Sequence, residues 1–124
     1  MSDNSVQCIS LPVVATQVAN IYKFMKLSAT GVELNDSAGG VCVGVAYSND
    51  GNAAGKVIPV AYAGVIKVIA GATVAKGAQV ASTAAGLAAT AVAADYVQGQ
   101  ALTGGDNGDL ITILRVTQAQ VNPT

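Results

Sequence analysis

Three clusters of turn-forming residues cut this chain into short segments rich in valine, isoleucine and alanine. They are Asn35-Asp36-Ser37-Ala38-Gly39-Gly40, Ser48-Asn49-Asp50-Gly51-Asn52 and Gly104-Gly105-Asp106-Asn107-Gly108. Glycine reaches positive φ without steric penalty, and Asn and Asp bond their own backbone, so each cluster reads as a turn. The segments between them read as strands over residues 6–10, 21–27, 41–47, 56–62, 65–70, 78–82, 96–102 and 110–116. Short strands at this spacing, with no sustained period of 3.6, give an all-β fold: a small antiparallel β-sandwich or barrel-like domain with an extended N-terminal arm.

One stretch competes with that reading. Residues 84–94 are alanine-rich, and alanine is the best helix former. Thr83, Gly86, Thr90 and Val92 interrupt the run, however, and no charged face would solvate a helix. It is read as a turn at Ala85-Gly86 followed by a short strand over 87–91. The ends differ from the middle: residues 1–20 lack glycine, and residues 118–124 are polar and include Pro123. The expected organisation is therefore an extended arm at 1–20, a β domain at 21–117 and a tail at 118–124.

At 124 residues the chain has room for one ordinary domain. Apolar residues make up 52%, yet aromatics only 4% and charged residues 10%. With 23 Ala and 18 Val, the core must be thin and closely packed. A mean hydropathy of +0.50 excludes intrinsic disorder. Six Lys+Arg against seven Asp+Glu leave no basic footprint for nucleic acid. Apolar runs such as 57–70 are broken by Pro59, Gly64 and Lys67, too short for a membrane helix. Residues 1–7 hold no Lys or Arg and lead into no long apolar run, so no secretory signal is read there.

Histidine is absent. That removes the usual activation of Ser and Cys nucleophiles and the commonest metal ligand. Cys8 and Cys42 are the only cysteines and lack C-x-x-C spacing; both read as small buried hydrophobes. Asp50-Gly51-Asn52 and Asp106-Asn107-Gly108-Asp109 are too poor in oxygen ligands for calcium and read as turns. Gly39-Gly40 and Gly104-Gly105 open no phosphate-binding motif. Nothing places Asp95 and Asp109 together in a cleft. No catalytic residue, cofactor or metal is expected, and the chain is read as a non-enzyme.

Two patterns point to assembly. Strand 110–116 is apolar on both faces, and 65–70 is too apart from Lys67, whereas a two-layer domain leaves one face of each sheet wet. Part of the outer surface is thus expected to lie under another chain. The second pattern is an internal echo. Gly44-Val45-Ala46-Tyr47, a polar loop and Gly55-Lys56-Val57-Ile58-Pro59-Val60 parallel Gly99-Gln100-Ala101-Leu102, a loop and Gly108-Asp109-Leu110-Ile111-Thr112-Ile113. Each copy reads as a hairpin.

The run from Gly64 to Val80 has a distinct grammar: a strand ending at Ala70-Gly71, a short polar segment, then Lys76-Gly77-Ala78-Gln79-Val80 opening the next strand. With the turn at Gly86, Gly99-Gln100-Ala101-Leu102, the Gly/Asp loop and the last strand, residues 41–116 resemble the small capsid decoration (cement) proteins of tailed bacteriophages. That resemblance implies a β domain on the outer surface of an icosahedral head, made in the host cytoplasm. It would bridge subunits of the major capsid protein, its partner, and cluster as a homotrimer. Residues 6–14 are expected to add to a partner's sheet edge, with Leu11, Val13 and Val14 as apolar anchors of a capsid-binding arm. A tail-associated or adhesive module of the virion is the alternative, although scarce aromatics offer few platforms for sugars. The 71–80 stretch also resembles the hairpin of biotinyl and lipoyl carrier domains, but Lys76 lies between Ala75 and Gly77 rather than in their modified-lysine motif.

Overall fold

The computed structural model describes residues 6–14, 21–47, 54–92, 95–115 and 120–121, and every regular element among them is a strand. In chain order these are β1 (Val6–Pro12), β2 (Phe24–Ser28), β3 (Gly31–Leu34), β4 (Gly44–Ala46), β5 (Val57–Ile69), β6 (Gln79–Ser82), β7 (Ala88–Thr90), β8 (Tyr96–Val97), β9 (Gly99–Ala101), β10 (Leu110–Arg115) and β11 (Gln120–Val121). Nine of them form one antiparallel sheet in the order β3-β2-β4-β5-β10-β9-β6-β7, with β1 also paired to β5; β8 and β11 make a separate pair. The all-β, barrel-like expectation holds.

The 13-residue β5 organises the molecule. The sequence reading split it at Gly64, but the strand runs through. A register shift opposite Gln7 and Cys8 leaves Tyr62 without a partner in β1, and Gly64 takes φ +96°. A bulge with an adjoining glycine bends a strand without ending it. The two halves of β5 consequently belong to two rings. In the first ring β5 joins β4, β2, β3 and β1, and the Val13–Val32 bridge between the end of β1 and β3 closes it. In the second, β5 joins β10, β9, β6 and β7, closed by the Ala70–Ala88 bridge.

Strand periodicity then sorts the core. Val13, Met25, Val32, Ala46, Ile58 and Val60 fill the first ring. Ile66, Val68, Ala70, Val80, Ala88, Ala101, Ile111 and Ile113 fill the second, and the outward side of the first ring (Phe24, Val45, Ala61) packs into that same cluster. Phe24, the only phenylalanine, is fully buried at this join. Tyr22 also spans it: its N–H donates to Ala46 O (2.7 Å) and its carbonyl accepts the Ile69 N–H (2.9 Å). Those two bonds hold Tyr22 at φ 64°, a left-handed conformation that a tyrosine adopts only under constraint.

The echo in the sequence is an echo in space. Ala46 stands opposite Val60 in the first ring as Ala101 stands opposite Ile113 in the second, and Val45–Ala61 corresponds to Gln100–Leu114. The Tyr47 N–H donates to Pro59 O at 3.0 Å, and the Leu102 N–H to Thr112 O at 2.8 Å. Gly55 (φ +88°) and Gly108 (φ +93°) enter β5 and β10 in the same left-handed conformation. A Cβ on Gly44 would overlap the carbonyl of Ala61, and one on Gly99 would lie 2.7 Å from the carbonyl of Leu114. The same hairpin is built twice.

Candidate interaction surfaces and the buried polar seam

Four polar residues are buried among the described residues: Asn35, Ser82, Gln98 and Arg115. Three of them bond carbonyls of one segment, residues 35–43, which links β3 to β4. Asn35 Nδ2 donates to Ser37 O (2.8 Å) and Ser82 Oγ (2.8 Å), Gln98 Nε2 to Gly40 O (3.0 Å), and Arg115 Nη2 to Cys42 O (2.9 Å). Backbone bonds Gly39 N to Ser82 O (2.8 Å) and Tyr96 N to Gly39 O (2.9 Å) complete the seam. A segment without ladder partners must satisfy its carbonyls otherwise, and these side chains do so.

The seam is not fully satisfied. Arg115 Nε and Nη1 and Gln98 Oε1 are buried with no hydrogen-bond partner. Burial also lowers the Arg115 pKa, with the Cys42 thiol acting weakly the other way. The sequence reading missed this arginine, although its signal was there: Arg115 shares the inward parity of Ile111 and Ile113 along β10. Nearby, burial pushes the Cys42 thiol up to about 11, against the smaller lowering effects of Ser82 and Arg115. Cys42 is buried as expected. Cys8 is a correction: it is exposed, because residues 7–10 of β1 lie on the surface.

The arm residues have definite places. Residues 6–12 run antiparallel to β5 of the same chain. Leu11 is half-buried against the first-ring core, Val13 is 1% exposed within it, and Val14 is half-buried, its N–H donating to Val32 O at 3.0 Å. Among the described residues, the main-chain edge of β1 away from β5 pairs with no other named strand, while the chain just beyond β1 bridges β3 at Val13–Val32.

The polar loops hold themselves. The Asp109 carboxylate accepts the Asp106 N–H (2.8 Å), Asp109 N–H returns to Asp106 O (2.9 Å), and Thr73 Oγ1 donates to Asp106 Oδ1 (3.2 Å). Asp95 Oδ2 accepts the Val92 N–H at 3.0 Å. These carboxylates accept backbone N–H groups within their own loops, and the turn expected at Asp106-Asn107-Gly108-Asp109 is present. Asp50-Gly51-Asn52 lies outside the described residues. Lys76 is exposed in a turn.

The remaining surface feature is apolar. On β10, Ile111 and Ile113 point inward, while Leu110 (49% exposed) and Leu114 (37%) point out. Opposite them on β5 stand Ile69 and Val65, with Lys67 opposite Thr112 between. Leu102 (37% exposed), which follows β9, lies on the same side. The doubly apolar character of strand 110–116 is thus resolved into a core side and an open side.

The described residues define a small all-β module. Its architecture is similar to that of a solved structure described as the head fiber gp8.5 N base in bacteriophage phi29. The TM-score is 0.70 at 16% identity, over 94% of this chain and 100% of that one. No family model and no curated protein matches the chain.

Proposed function

We propose that this chain is a structural, non-enzymatic protein of a phage virion: a capsid decoration (cement) protein. It binds the outside of the icosahedral head, bridges subunits of the major capsid protein and self-associates as a homotrimer. The observation that carries this reading is the fold shared with a phage head fiber base along nearly the whole of both chains. Two features of the surface support it. Before its end meets β3, the outer edge of β1 pairs with no other named strand among the described residues, and such an edge is suited to main-chain pairing with a strand of a capsid subunit. The sequence reading takes Leu11, Val13 and Val14 as the anchors of the capsid-binding arm; Val13 lies in this chain's own core with Leu11 packed against it, so the proposed contact uses the edge of β1 and the exposed Ile9 (46%) instead. Each contact is modest, and repetition over a lattice raises the overall avidity.

The test is co-sedimentation of the purified protein with expanded, undecorated heads of its own phage and with unexpanded procapsids. Saturable binding to expanded heads establishes the cement role. Binding to neither removes it and favours the tail-associated module.

A further inference from the structure

The turn that leads into β10 carries the one Asn-Gly dipeptide in the chain, Asn107-Gly108. Glycine has no side chain to shield its own nitrogen, so in this dipeptide the backbone can attack the asparagine amide. Hydroxide takes the proton from the Gly108 nitrogen, which then bonds to Asn107 Cγ. The Cγ–Nδ2 bond breaks, and the leaving nitrogen takes a proton from water and departs as ammonia. A further water opens the cyclic imide to aspartate or isoaspartate. The sum is amide plus water giving carboxylic acid plus ammonia, with no change of oxidation state.

In this fold the electrophile is open and the nucleophile is not. Asn107 is exposed, but the Gly108 N–H, whose proton must leave, donates to Ala70 O at 2.7 Å. The backbone also opposes ring closure. The Asp109 N–H bonds Asp106 O at 2.9 Å across the dipeptide, Asn107 has negative φ and Gly108 has φ +93°. That is a type II turn, with ψ of about +120° at Asn107. An imide ring closes only when the Gly108 nitrogen eclipses Asn107 Cβ, and this ψ holds it about a third of a turn away. Two side chains clamp the same turn: the Asp109 carboxylate accepts the Asp106 N–H (2.8 Å), and Thr73 Oγ1 donates to Asp106 Oδ1 (3.2 Å).

We infer that Asn107-Gly108 is a deamidation site which the fold keeps shut, and which reacts with water only when the turn opens and its bond to Ala70 breaks. Local opening of this kind does not require global unfolding. The change runs one way. Its product adds a carboxylate between Asp106 and Asp109, and isoaspartate inserts a methylene into the backbone of a four-residue turn. The repeated hairpin carries the site once, since Ala54 precedes Gly55 where Asn107 precedes Gly108.

The experiment incubates the full chain at mildly alkaline pH, native or in urea, and follows the tryptic peptide 77–115, in which Asn107 is the only asparagine. The readouts are the amide-to-acid mass change and isoaspartate by enzymatic methylation, with Asn107→Gln as the control for the site. Native wild type is expected to convert at least about tenfold more slowly than the chain in urea. Asp109→Ala, which loses the clamp on the Asp106 N–H, should convert several-fold faster than wild type when native, each rate taken relative to its own rate in urea. Should that variant not fold, Thr73→Val loosens the same turn from the other side. A native chain that converts as fast as the chain in urea overturns the inference. So does a chain that keeps its Asn107 amide in urea, or a folded clamp variant that converts at the wild-type rate. Every arm uses the isolated protein, so the outcome is independent of head binding.

Discussion

The backbone N–H of Lys67 donates to the phenol oxygen of Tyr47 at 2.6 Å. Tyr47 follows β4 in the first ring and Lys67 lies in the second-ring half of β5, so one hydroxyl joins the two halves of the molecule. The Tyr47 ring is held edge-on to Tyr22, with centroids 5.4 Å apart and an interplanar angle of 86°. Replacing Tyr47 with Phe keeps the ring pair and removes the acceptor. Lys67 is exposed, so water can take the place of the phenol and the net worth of the bond, about 0.5–1.5 kcal/mol, is what is lost; urea unfolding of Tyr47→Phe should show a loss of that size with an unchanged m-value.

Glycines 44 and 99 make a paired prediction. A methyl group at either would press on a backbone carbonyl of the facing strand, Ala61 or Leu114, which cannot yield without shifting the ladder. Gly44→Ala and Gly99→Ala should each cost about 1–3 kcal/mol. Gly55→Ala and Gly108→Ala meet open space and only the left-handed backbone, so about 1 kcal/mol is expected. Thermal unfolding of the four variants reads the ranking; clearly unequal losses within either pair would contradict the hairpin equivalence.

Arg115 gives a prediction of opposite sign. Its guanidinium is buried with one hydrogen bond to Cys42 O and two unpartnered nitrogens. Replacing a buried, poorly compensated charge by an apolar side chain of similar volume is often neutral or stabilising by about 1–4 kcal/mol. Arg115→Met should therefore hold or raise the melting temperature of the isolated protein, and a fall of several degrees would show that the cation is compensated.

Alkaline stability follows from Cys42. Its thiol titrates near 9.0 when unfolded and at about 11 in the fold, because burial disfavours the thiolate. Between those values the native state keeps a proton that the unfolded chain has lost, so stability falls as pH rises, by up to about 1.4 kcal/mol per pH unit. Tyr47, raised first by burial, adds in the same direction at higher pH. Urea midpoints measured across this window should decline in wild type, and Cys42→Ser should flatten the slope.

The candidate surfaces were unequally legible in the sequence. The two-sided apolar pattern of 110–116 announced a strand with more hydrophobic surface than one core needs. Whether Leu110 and Leu114 or Ile111 and Ile113 faced solvent depended on which side the second ring closed. The arm at 6–14 was visible as an extended segment, while its pairing with β5 of its own chain was not, because main-chain hydrogen bonds carry no side-chain signature. β3 was missed because Gly31-Val32-Glu33-Leu34 is short, and pairing with Met25, Lys26, Leu27 and Ser28 of the neighbouring strand makes it a hairpin.

What the sequence determined by itself was local. Turn residues placed the breaks, β-branched runs placed the strands, and the matching Gly44 and Gly99 segments specified the same hairpin twice, since turn conformation and alternation depend on near neighbours. What only the tertiary structure decided was long-range. It decided that β5 continues through Gly64, that the two rings share it, that Asn35, Gln98 and Arg115 converge on residues 35–43, and that one hairpin is covered while its counterpart stays open. Strand order and ring closure are set by packing between residues distant in sequence, and packing chooses among registers that the local pattern leaves equally good.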